Sequence, residues 1–313
     1  MLEITFRVLN TTVDSKDVEV QVQLKAYGRM VDDRLSELLP SETARPTELA
    51  GAIRYACLAP GKRLRPALCL ACANAAGGEV ENALNVACAI EMLHCFSLIH
   101  DDLPALDNDN LRRGRPTCHV AFGEAIAILA GDALLALSFE TIVAPKLGIV
   151  PSAEMRLECV RILSQACGTD GLVSGEAADL LAEGRELDRD QLHYIHTHKT
   201  GALISAACEM GAVLANADHE STIKLARYGV AVGLAFQIAD DLLNETSSAE
   251  QLGKSAGSDR ARRKATYPAL VGLEESKKEA LALAAEAQAH LKGLPGPTEF
   301  LTDVAVFSVE RVR

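Results

Sequence analysis

Residues 98–114 read LIHDDLPALDNDNLRRG, an apolar helical run that ends in a cluster of acids and is followed by two arginines. A second acidic pair, Asp240 and Asp241, closes another apolar run of helical character. Hard cations such as Mg²⁺ take oxygen ligands and are usually held by one or two carboxylates plus the phosphates of a substrate. The planar fork of arginine also suits phosphate. The two acidic clusters therefore indicate a diphosphate bridged by metal ions.

Apolar residues recur with helical spacing over almost the whole chain, and Pro and Gly separate the helical stretches. Aromatic residues make up only 4% of the chain and tryptophan is absent, while Ala and Leu, which favour helices, are abundant. We predict helices over about residues 20–39, 46–58, 64–75, 80–102, 118–129, 131–144, 152–167, 170–181, 188–214, 217–243, 261–291 and 297–310. The sequence thus predicts an all-α chain of long antiparallel helices joined by short loops.

The N-terminus differs from the rest of the chain. Residues 1–24 alternate apolar and polar side chains in two short runs, and this period of two predicts a small hairpin. A disordered extension and a helix that begins near Asp14 are the alternatives. We treat residues 1–20 as an N-terminal extension and residues 21–313 as one domain, because no linker or internal repeat interrupts the helical pattern.

Composition excludes several classes of protein. The net charge of −12 argues against a nucleic-acid-binding protein, for which a basic face is expected. We find no uncharged apolar stretch of the length that spans a bilayer, and the chain does not start like a signal peptide. These features predict a soluble, cytoplasmic protein without membrane insertion.

The nine cysteines lie mostly among apolar neighbours, which predicts reduced, buried side chains rather than disulfides. Cys69 and Cys72 form a CxxC within an apolar helical run, with no second pair nearby. We therefore expect them to pack in the core rather than bind zinc.

The order of several motifs carries a family resemblance. The segments are GKRLRP (61–66), HCFSLIHDDLPALD (94–107), LRRGRPT (111–117), HTHKTG (196–201), GLAFQIADD (233–241) and LGKSAG (252–257). In this order they resemble the trans-prenyltransferase, or polyprenyl diphosphate synthase, family, and most of all its short-chain bacterial-type farnesyl and geranylgeranyl diphosphate synthases. The resemblance implies one large helical bundle around a central cavity and a homodimer.

The resemblance also implies the roles of individual residues. The metal ligands would be Asp101, Asp102, Asp107, Asp240 and Asp241, with three Mg²⁺ ions bound beside the substrate and Mn²⁺ as a substitute. Isopentenyl diphosphate, which binds without metal, would contact Gly61, Lys62, Arg63, His94 and Arg113. The allylic diphosphate, dimethylallyl or geranyl, would contact Arg112, Lys199, Thr200, Gln237, Lys254 and Lys264. The catalytic set would be Asp101, Asp102, Arg112, Lys199 and Asp240.

Two positions depart from the family pattern. Asn244 stands where the family usually has the last Asp of its second acidic motif, which weakens the expectation of a third metal site. Glu176 stands where a Gln is common, ahead of Asp179 and Leu180. We expect the carboxyl group of Glu176 to meet a base or to be protonated, at some cost in rate.

Product length is predicted from Phe96, which precedes Asp101 by five residues and so lies roughly 7.5 Å along the helix axis from it. In the family, an aromatic residue here together with the two-residue insertion in the first acidic motif resembles the farnesyl type. Ser97 is small and could leave a partial gap. We therefore expect head-to-tail prenyl transfer that ends mainly at farnesyl diphosphate, with a geranylgeranyl diphosphate synthase or a weakly active regulatory subunit of a heteromeric synthase as alternatives.

A terpene cyclase or a head-to-head synthase would share the helical cavity and the acids. Such an enzyme would not need a second diphosphate pocket, so the bases at Lys62, Arg63, His94 and Arg113 argue against both.

Overall fold

The structure is a computed structural model that describes residues 15–246 and 266–310. Its helices are α1 (Ser15–Leu38), α2 (Thr47–Cys57), α3 (Leu64–Ala75), α4 (Val80–Asp101), α5 (Cys118–Phe122), α6 (Glu124–Val143), α7 (Ala153–Cys167), α8 (Leu172–Ala182), α9 (Arg189–Ile195), α10 (Ala202–Leu214), α11 (His219–Thr246), α12 (Tyr267–Val271), α13 (Leu273–His290) and α14 (Glu299–Glu310). A π-helical segment, His196–Gly201, joins α9 to α10. The predicted all-α fold is confirmed.

Helix α4 lies at the centre of the bundle, where it packs against α3 and α6. It is apolar on nearly all sides, and such a helix is expected to be buried all round. Small side chains bring the helices close together. A Cβ atom on Gly211 of α10 would clash with the carbonyl oxygen of Cys69 on α3. Both Cys69 and Cys72 are fully buried and unpaired, so the expected role in core packing is confirmed.

The N-terminal hairpin prediction is wrong over its second run. Helix α1 begins at Ser15, and Val20 and Leu24 pack into the core from it. A spacing of four residues places both side chains on one helical face, which a short stretch of alternation did not reveal. The first run of the predicted hairpin lies outside the described residues.

Three other boundaries differ from the predicted ones. The break expected near residue 130 lies instead at Gly123, which adopts φ +85°, and α6 continues through Gly131. The predicted helix over 261–291 is divided at Gly272, with φ +86°, into α12 and α13. A two-stranded hairpin, β1 (Leu111–Arg112) paired with β2 (Arg115–Pro116), was not predicted, because strands of two residues show no periodicity.

Two helices, α4 and α6, are long and apolar enough to cross a membrane by length and composition, although we expected no such stretch from the sequence. The apolar window of α4 is 83% buried and that of α6 only 39%. The buried core helix of a soluble protein passes the same test, and the high buried fraction of α4 is typical of such a core helix. Helix α6 leaves Ile128, Leu129 and Val143 exposed.

Candidate active site

The first acidic motif forms a tight turn at the end of α4. The backbone N–H of Asp107 donates a 2.8 Å hydrogen bond to the carbonyl oxygen of Asp101, so the chain folds back as Pro104 predicts. Burial raises the pKa of the Asp101 carboxyl group to about 7, with further contributions from the negative charges of Glu176 and Asp107. The positive charges of Lys199 and Arg112 oppose that rise in pKa, so Asp101 is a buried carboxyl group among charges of both signs.

The carboxylate of Asp102, the next residue, is bonded to an arginine. Arg112 donates from Nε to both carboxylate oxygens of Asp102, at 2.7 and 2.9 Å, and its Nη2 lies 2.6 Å from Oδ1. Burial raises the pKa of Asp102, and Arg112 opposes that shift. The metal-ligand role expected for Asp102 stays a prediction, and in this structure both of its carboxylate oxygens are bonded to Arg112. Neighbouring residues of a helix point about 100° apart, so Asp101 and Asp102 face different partners.

Lys199 lies between two carboxylates of α8. Its Nζ is 2.6 Å from Oδ2 of Asp179 and 2.7 Å from Oε2 of Glu176. Burial lowers the pKa of Lys199, but Asp179 and Glu176 outweigh it and raise that pKa above its usual value. The close approach requires Gly175, because a Cβ atom there would clash with the backbone of Lys199. The expectation that Glu176 meets a base is confirmed.

Thr200 and Gln237 connect the π-helical segment to α11. The Thr200 hydroxyl group donates a 3.0 Å hydrogen bond to Oε1 of Gln237. The π-helical segment therefore brings Lys199 and Thr200 to the end of α11 that carries the second acidic motif, and π-bulges of this kind are frequent at functional sites.

Asp241 is buried in a structural network. Its Oδ2 accepts a 2.9 Å hydrogen bond from the backbone N–H of Tyr267, and its Oδ1 accepts one from Gln237 at 3.3 Å. Nε2 of His196 lies 3.4 Å from Oδ2. Burial lowers the pKa of His196 to about 4, so the ring is neutral near pH 7. The metal-ligand roles expected for Asp240 and Asp241 stay predictions; Asp241 is bonded within this network, whereas Asp240 is half-buried on the same helix.

A second group of bases lies at the start of α3. Nη1 of Arg65 is 3.4 Å from Nε2 of His94, and Nε of Arg65 is buried without a hydrogen-bond partner. Burial and the positive charge of Arg65 lower the pKa of His94 well below its usual value, so the ring is neutral. Arg113 donates a 2.9 Å hydrogen bond to the carbonyl oxygen of Pro60, and a Cβ atom on Gly61 would clash with its guanidinium group.

Arg63 does not belong to this group of open bases. Its guanidinium nitrogens donate to Asp32, to Glu91 and to the carbonyl oxygens of Cys57 and Ala59. Each nitrogen is thus engaged inside the protein, and the contact expected between Arg63 and isopentenyl diphosphate stays a prediction. Arg65, two residues later, has a buried Nε without a hydrogen-bond acceptor, and a bound ligand would supply one. The sequence alone does not separate the two arginines.

The remaining predicted residues fall into two groups. Lys254 and Lys264 lie outside the described residues, as does the side chain of Asn244. Phe96 and Ser97 are both buried on α4, and the ring of Phe96 packs edge-to-face on His100 at a centroid distance of 4.9 Å. Lys62 is exposed beside Arg63.

The acids fit a hard cation that a substrate helps to hold. Within residues 15–246 and 266–310, no three His, Cys, Asp or Glu side chains form a group that could hold a metal ion by themselves. The backbone bond from Asp107 to Asp101 nevertheless brings these two acids together, and burial, Glu176 and Asp107 raise the pKa of Asp101. Mg²⁺ is usually bound by one or two carboxylates plus substrate phosphates, which matches this arrangement.

Comparisons with known proteins agree with the site. A sequence profile described as polyprenyl synthetase matches residues 46–292. The geranylgeranyl diphosphate synthase of Cyanophora paradoxa is 46% identical over 283 residues, which cover 90% of this chain and 93% of that protein. A dimethylallyltranstransferase of Fischerella ambigua is 50% identical over 247 residues, or 79% of this chain and 71% of that protein.

Solved structures give the same result. The apo structure of a farnesyl/geranylfarnesyl diphosphate (FPP/GFPP) synthase from Zymomonas mobilis superimposes with a TM-score of 0.81 at 37% identity and covers 93% of this chain and 98% of its own. The geranylgeranyl pyrophosphate synthetase of Pyrococcus horikoshii has a TM-score of 0.85 at 29% identity, covering 95% of this chain and 99% of its own. The chain therefore belongs to the polyprenyl synthetase family and is a short-chain prenyltransferase.

Proposed function

We propose that this prenyltransferase condenses isopentenyl diphosphate head-to-tail with allylic diphosphates and releases geranylgeranyl diphosphate as its main product. The farnesyl product expected from Phe96 is less well supported. Relatives from Cyanophora paradoxa and Arabidopsis thaliana are named geranylgeranyl synthases, at 46% and 45% identity. The FPP/GFPP synthase name of the Zymomonas mobilis structure also includes products longer than farnesyl.

One feature of α4 carries the proposal of a longer product. Ser97 precedes Asp101 by four residues and so shares its helical face, one turn deeper. Phe96 is directed elsewhere, since its ring packs on His100, whose Nε2 lies 3.1 Å from the Ile128 carbonyl oxygen on α6. The Ser97 side chain is small and its hydroxyl group donates to the carbonyl oxygen of His94 on the same helix, so we expect a growing prenyl chain to pass it below Asp101.

The allylic diphosphate is assigned to the acidic side of the site. Asp101, Asp107 and Asp240 would hold Mg²⁺, which as a Lewis acid stabilises negative charge on the departing diphosphate. Lys199 and Arg112 add positive charge at the same place, and Asp102 keeps the guanidinium group of Arg112 in a fixed orientation. Gln237 is oriented by the Thr200 hydroxyl group. The apolar walls of the bundle exclude water from the reacting carbon.

Isopentenyl diphosphate is assigned to the bases at the start of α3. Lys62, Arg65 and Arg113 supply positive charge, and Nε of Arg65 lacks a partner in the free protein. His94 is neutral and can donate or accept one hydrogen bond beside Arg65. Arg113 can approach the loop closely because Gly61 has no Cβ atom, which would clash with the guanidinium group of Arg113.

A homodimer is part of the same proposal. Helix α6 exposes Ile128, Leu129 and Val143, although it is among the most apolar helices of the chain. We expect a second copy of the chain to cover these exposed apolar side chains. A non-catalytic regulatory subunit is the weaker candidate, because Asp101, Asp107, Lys199 and Arg112 together retain the elements of a diphosphate site.

The product profile tests this function. The purified protein is incubated with Mg²⁺, isopentenyl diphosphate and either dimethylallyl, geranyl or farnesyl diphosphate, and the prenyl alcohols are separated by chain length after dephosphorylation. We expect geranylgeraniol from all three primers. Accumulation of farnesol, with farnesyl diphosphate rejected as a primer, would contradict the proposed product.

A further inference from the structure

Arg63 makes several buried contacts close to the proposed diphosphate sites. Its Nε donates to Oδ1 of Asp32 at 2.8 Å, and its Nη1 donates to Oε1 of Glu91 at 2.6 Å. Its Nη2 donates to the carbonyl oxygens of Cys57 and Ala59, at 2.7 and 2.9 Å. The side chains of Arg63 and Glu91 are 2% and 3% exposed. Such a buried charge persists only when its hydrogen bonds are satisfied, as they are here.

Through these contacts the side chain of Arg63 connects α1, α2 and α4 to the backbone turn at the start of α3. Asp32 belongs to α1 and Glu91 to α4, while the two carbonyl oxygens lie at the end of α2. Arg63 itself caps the N-terminus of α3 with φ 50° and ψ 38°, a left-handed conformation that is uncommon for a residue other than glycine. The guanidinium group therefore stabilises a sharp turn that its own backbone would not favour.

The turn determines where the neighbouring bases lie. Lys62 precedes Arg63 directly, and Arg65 follows within the first turn of α3. Glu91 lies three residues before His94 on α4, so the two share a helical face. The bond from Arg63 to Glu91 consequently sets the distance between the start of α3 and the part of α4 where Arg65 meets His94 at 3.4 Å.

We propose that Arg63 is a positioning residue for isopentenyl diphosphate: its bonds to Asp32, Glu91 and the end of α2 hold the turn over residues 61–65 so that Lys62, Arg65 and His94 converge on one diphosphate. Arg63 itself does not touch the substrate. The inference rests on the proposed assignment of isopentenyl diphosphate to this group of bases.

The test compares Arg63→Lys with Asp32→Ala. Lysine keeps the positive charge but cannot donate to four acceptors in a fixed planar arrangement. Asp32 is half exposed, so its removal loosens the turn without leaving a fully buried charge unpaired. We expect the KM for isopentenyl diphosphate to rise about tenfold or more in Arg63→Lys and less in Asp32→Ala, because small misplacements of binding groups have effects of this size. The KM for geranyl diphosphate should change less than about twofold in both variants.

A matched control is available at the same helix interface. Arg34 of α1 also bonds to α4, through Asn85 and Glu81 at 2.7 Å each, and these two bonds do not involve the turn over residues 61–65. Arg34→Lys should lower the thermal stability and leave both KM values unchanged.

A binding measurement separates this inference from the proposed reaction. The Kd of isopentenyl diphosphate is measured by calorimetry in the presence of a chelator, so that no catalytic turnover is needed. Weaker binding in Arg63→Lys and Asp32→Ala, but not in Arg34→Lys, supports the positioning role even if no product forms.

An unchanged Kd in Asp32→Ala and in any folded Arg63→Lys would overturn the positioning role, as would an equal rise of both KM values. If Arg63→Lys does not fold, Asp32→Ala decides alone. Absence of prenyl transfer by the unmodified protein would overturn the proposed function instead.

Discussion

The ammonium group of Lys199 lies 2.7 Å from Oε2 of Glu176, so a base of the proposed allylic site is already paired before substrate arrives. Asp179 holds the same Nζ at 2.6 Å. The diphosphate must therefore compete with carboxylates for Lys199. Glutamine, common in the family at this position, would leave one of those competitors uncharged.

This arrangement predicts the effect of Glu176→Gln. The KM for the allylic diphosphate should fall about two- to fivefold, the range expected when one partly buried ion pair is removed. The KM for isopentenyl diphosphate should stay the same, because Glu176 lies on the other side of the site. Steady-state kinetics with each substrate varied separately provides the measurement, and Glu158→Gln on α7 is the control. A higher allylic KM in Glu176→Gln would mean that Glu176 orients Lys199 instead of competing for it.

A second prediction separates the two neighbouring acids of the first motif. Asp101→Asn should raise the Mg²⁺ concentration needed for half-maximal rate, because it removes a carboxylate of the proposed metal site. Asp102→Asn should leave that concentration unchanged and raise the allylic KM, because it releases Arg112. Metal titrations of the rate at saturating substrate measure both effects. Equal shifts in the two metal titrations would show that Asp102 also binds metal.

The stability of the metal-free protein should depend on pH through Asp101. Its pKa of about 7 in the folded state exceeds that of an unfolded Asp, which is about 4. The folded protein therefore keeps a proton that the unfolded chain has lost, and this stabilisation disappears as the pH rises from about 4 through about 7. An Asn side chain does not ionise, so Asp101→Asn does not lose stability over this pH range. The Tm of the chelator-treated variant should therefore be a few degrees above that of the unmodified protein at pH 8 and about the same at pH 4.

The control for that measurement is Asp33→Asn on the exposed side of α1, which should show no such difference between the two pH values. A Tm of Asp101→Asn that shifts equally at both pH values would contradict the raised pKa of Asp101. Loss of activity together with gained stability is the pattern expected when a functional site concentrates like charges.

Chain length provides a further prediction. Ser97→Phe should shorten the main product to farnesyl diphosphate, because the new ring would project one turn below Asp101 on the same helical face. Phe96→Ala should leave the length unchanged, since Phe96 packs against His100. Product analysis of both variants decides between them. If Phe96→Ala gives longer products and Ser97→Phe has no effect, Phe96 is the residue that limits the length of the product.

The sequence predicts the helices and the acidic clusters well, because helical periodicity and motif order are local signals. It does not predict which of two adjacent residues faces the site. Asp101 and Asp102 differ only in helical phase, and Arg63 differs from Arg65 by the left-handed turn at its own backbone. The partners that decide the matter, such as Glu91 for Arg63, are distant in the sequence. Tertiary contacts therefore determine these roles.

The most direct test of the central claim is the incorporation of labelled isopentenyl diphosphate into geranyl diphosphate by the purified protein and by Asp101→Asn. The account predicts rapid incorporation with Mg²⁺, none with excess chelator, and a loss of about a hundredfold or more in the variant, in line with the cost of removing a group that stabilises transition-state charge. Equal incorporation with and without chelator, or undiminished turnover in a folded Asp101→Asn protein, would contradict metal-assisted prenyl transfer at this site.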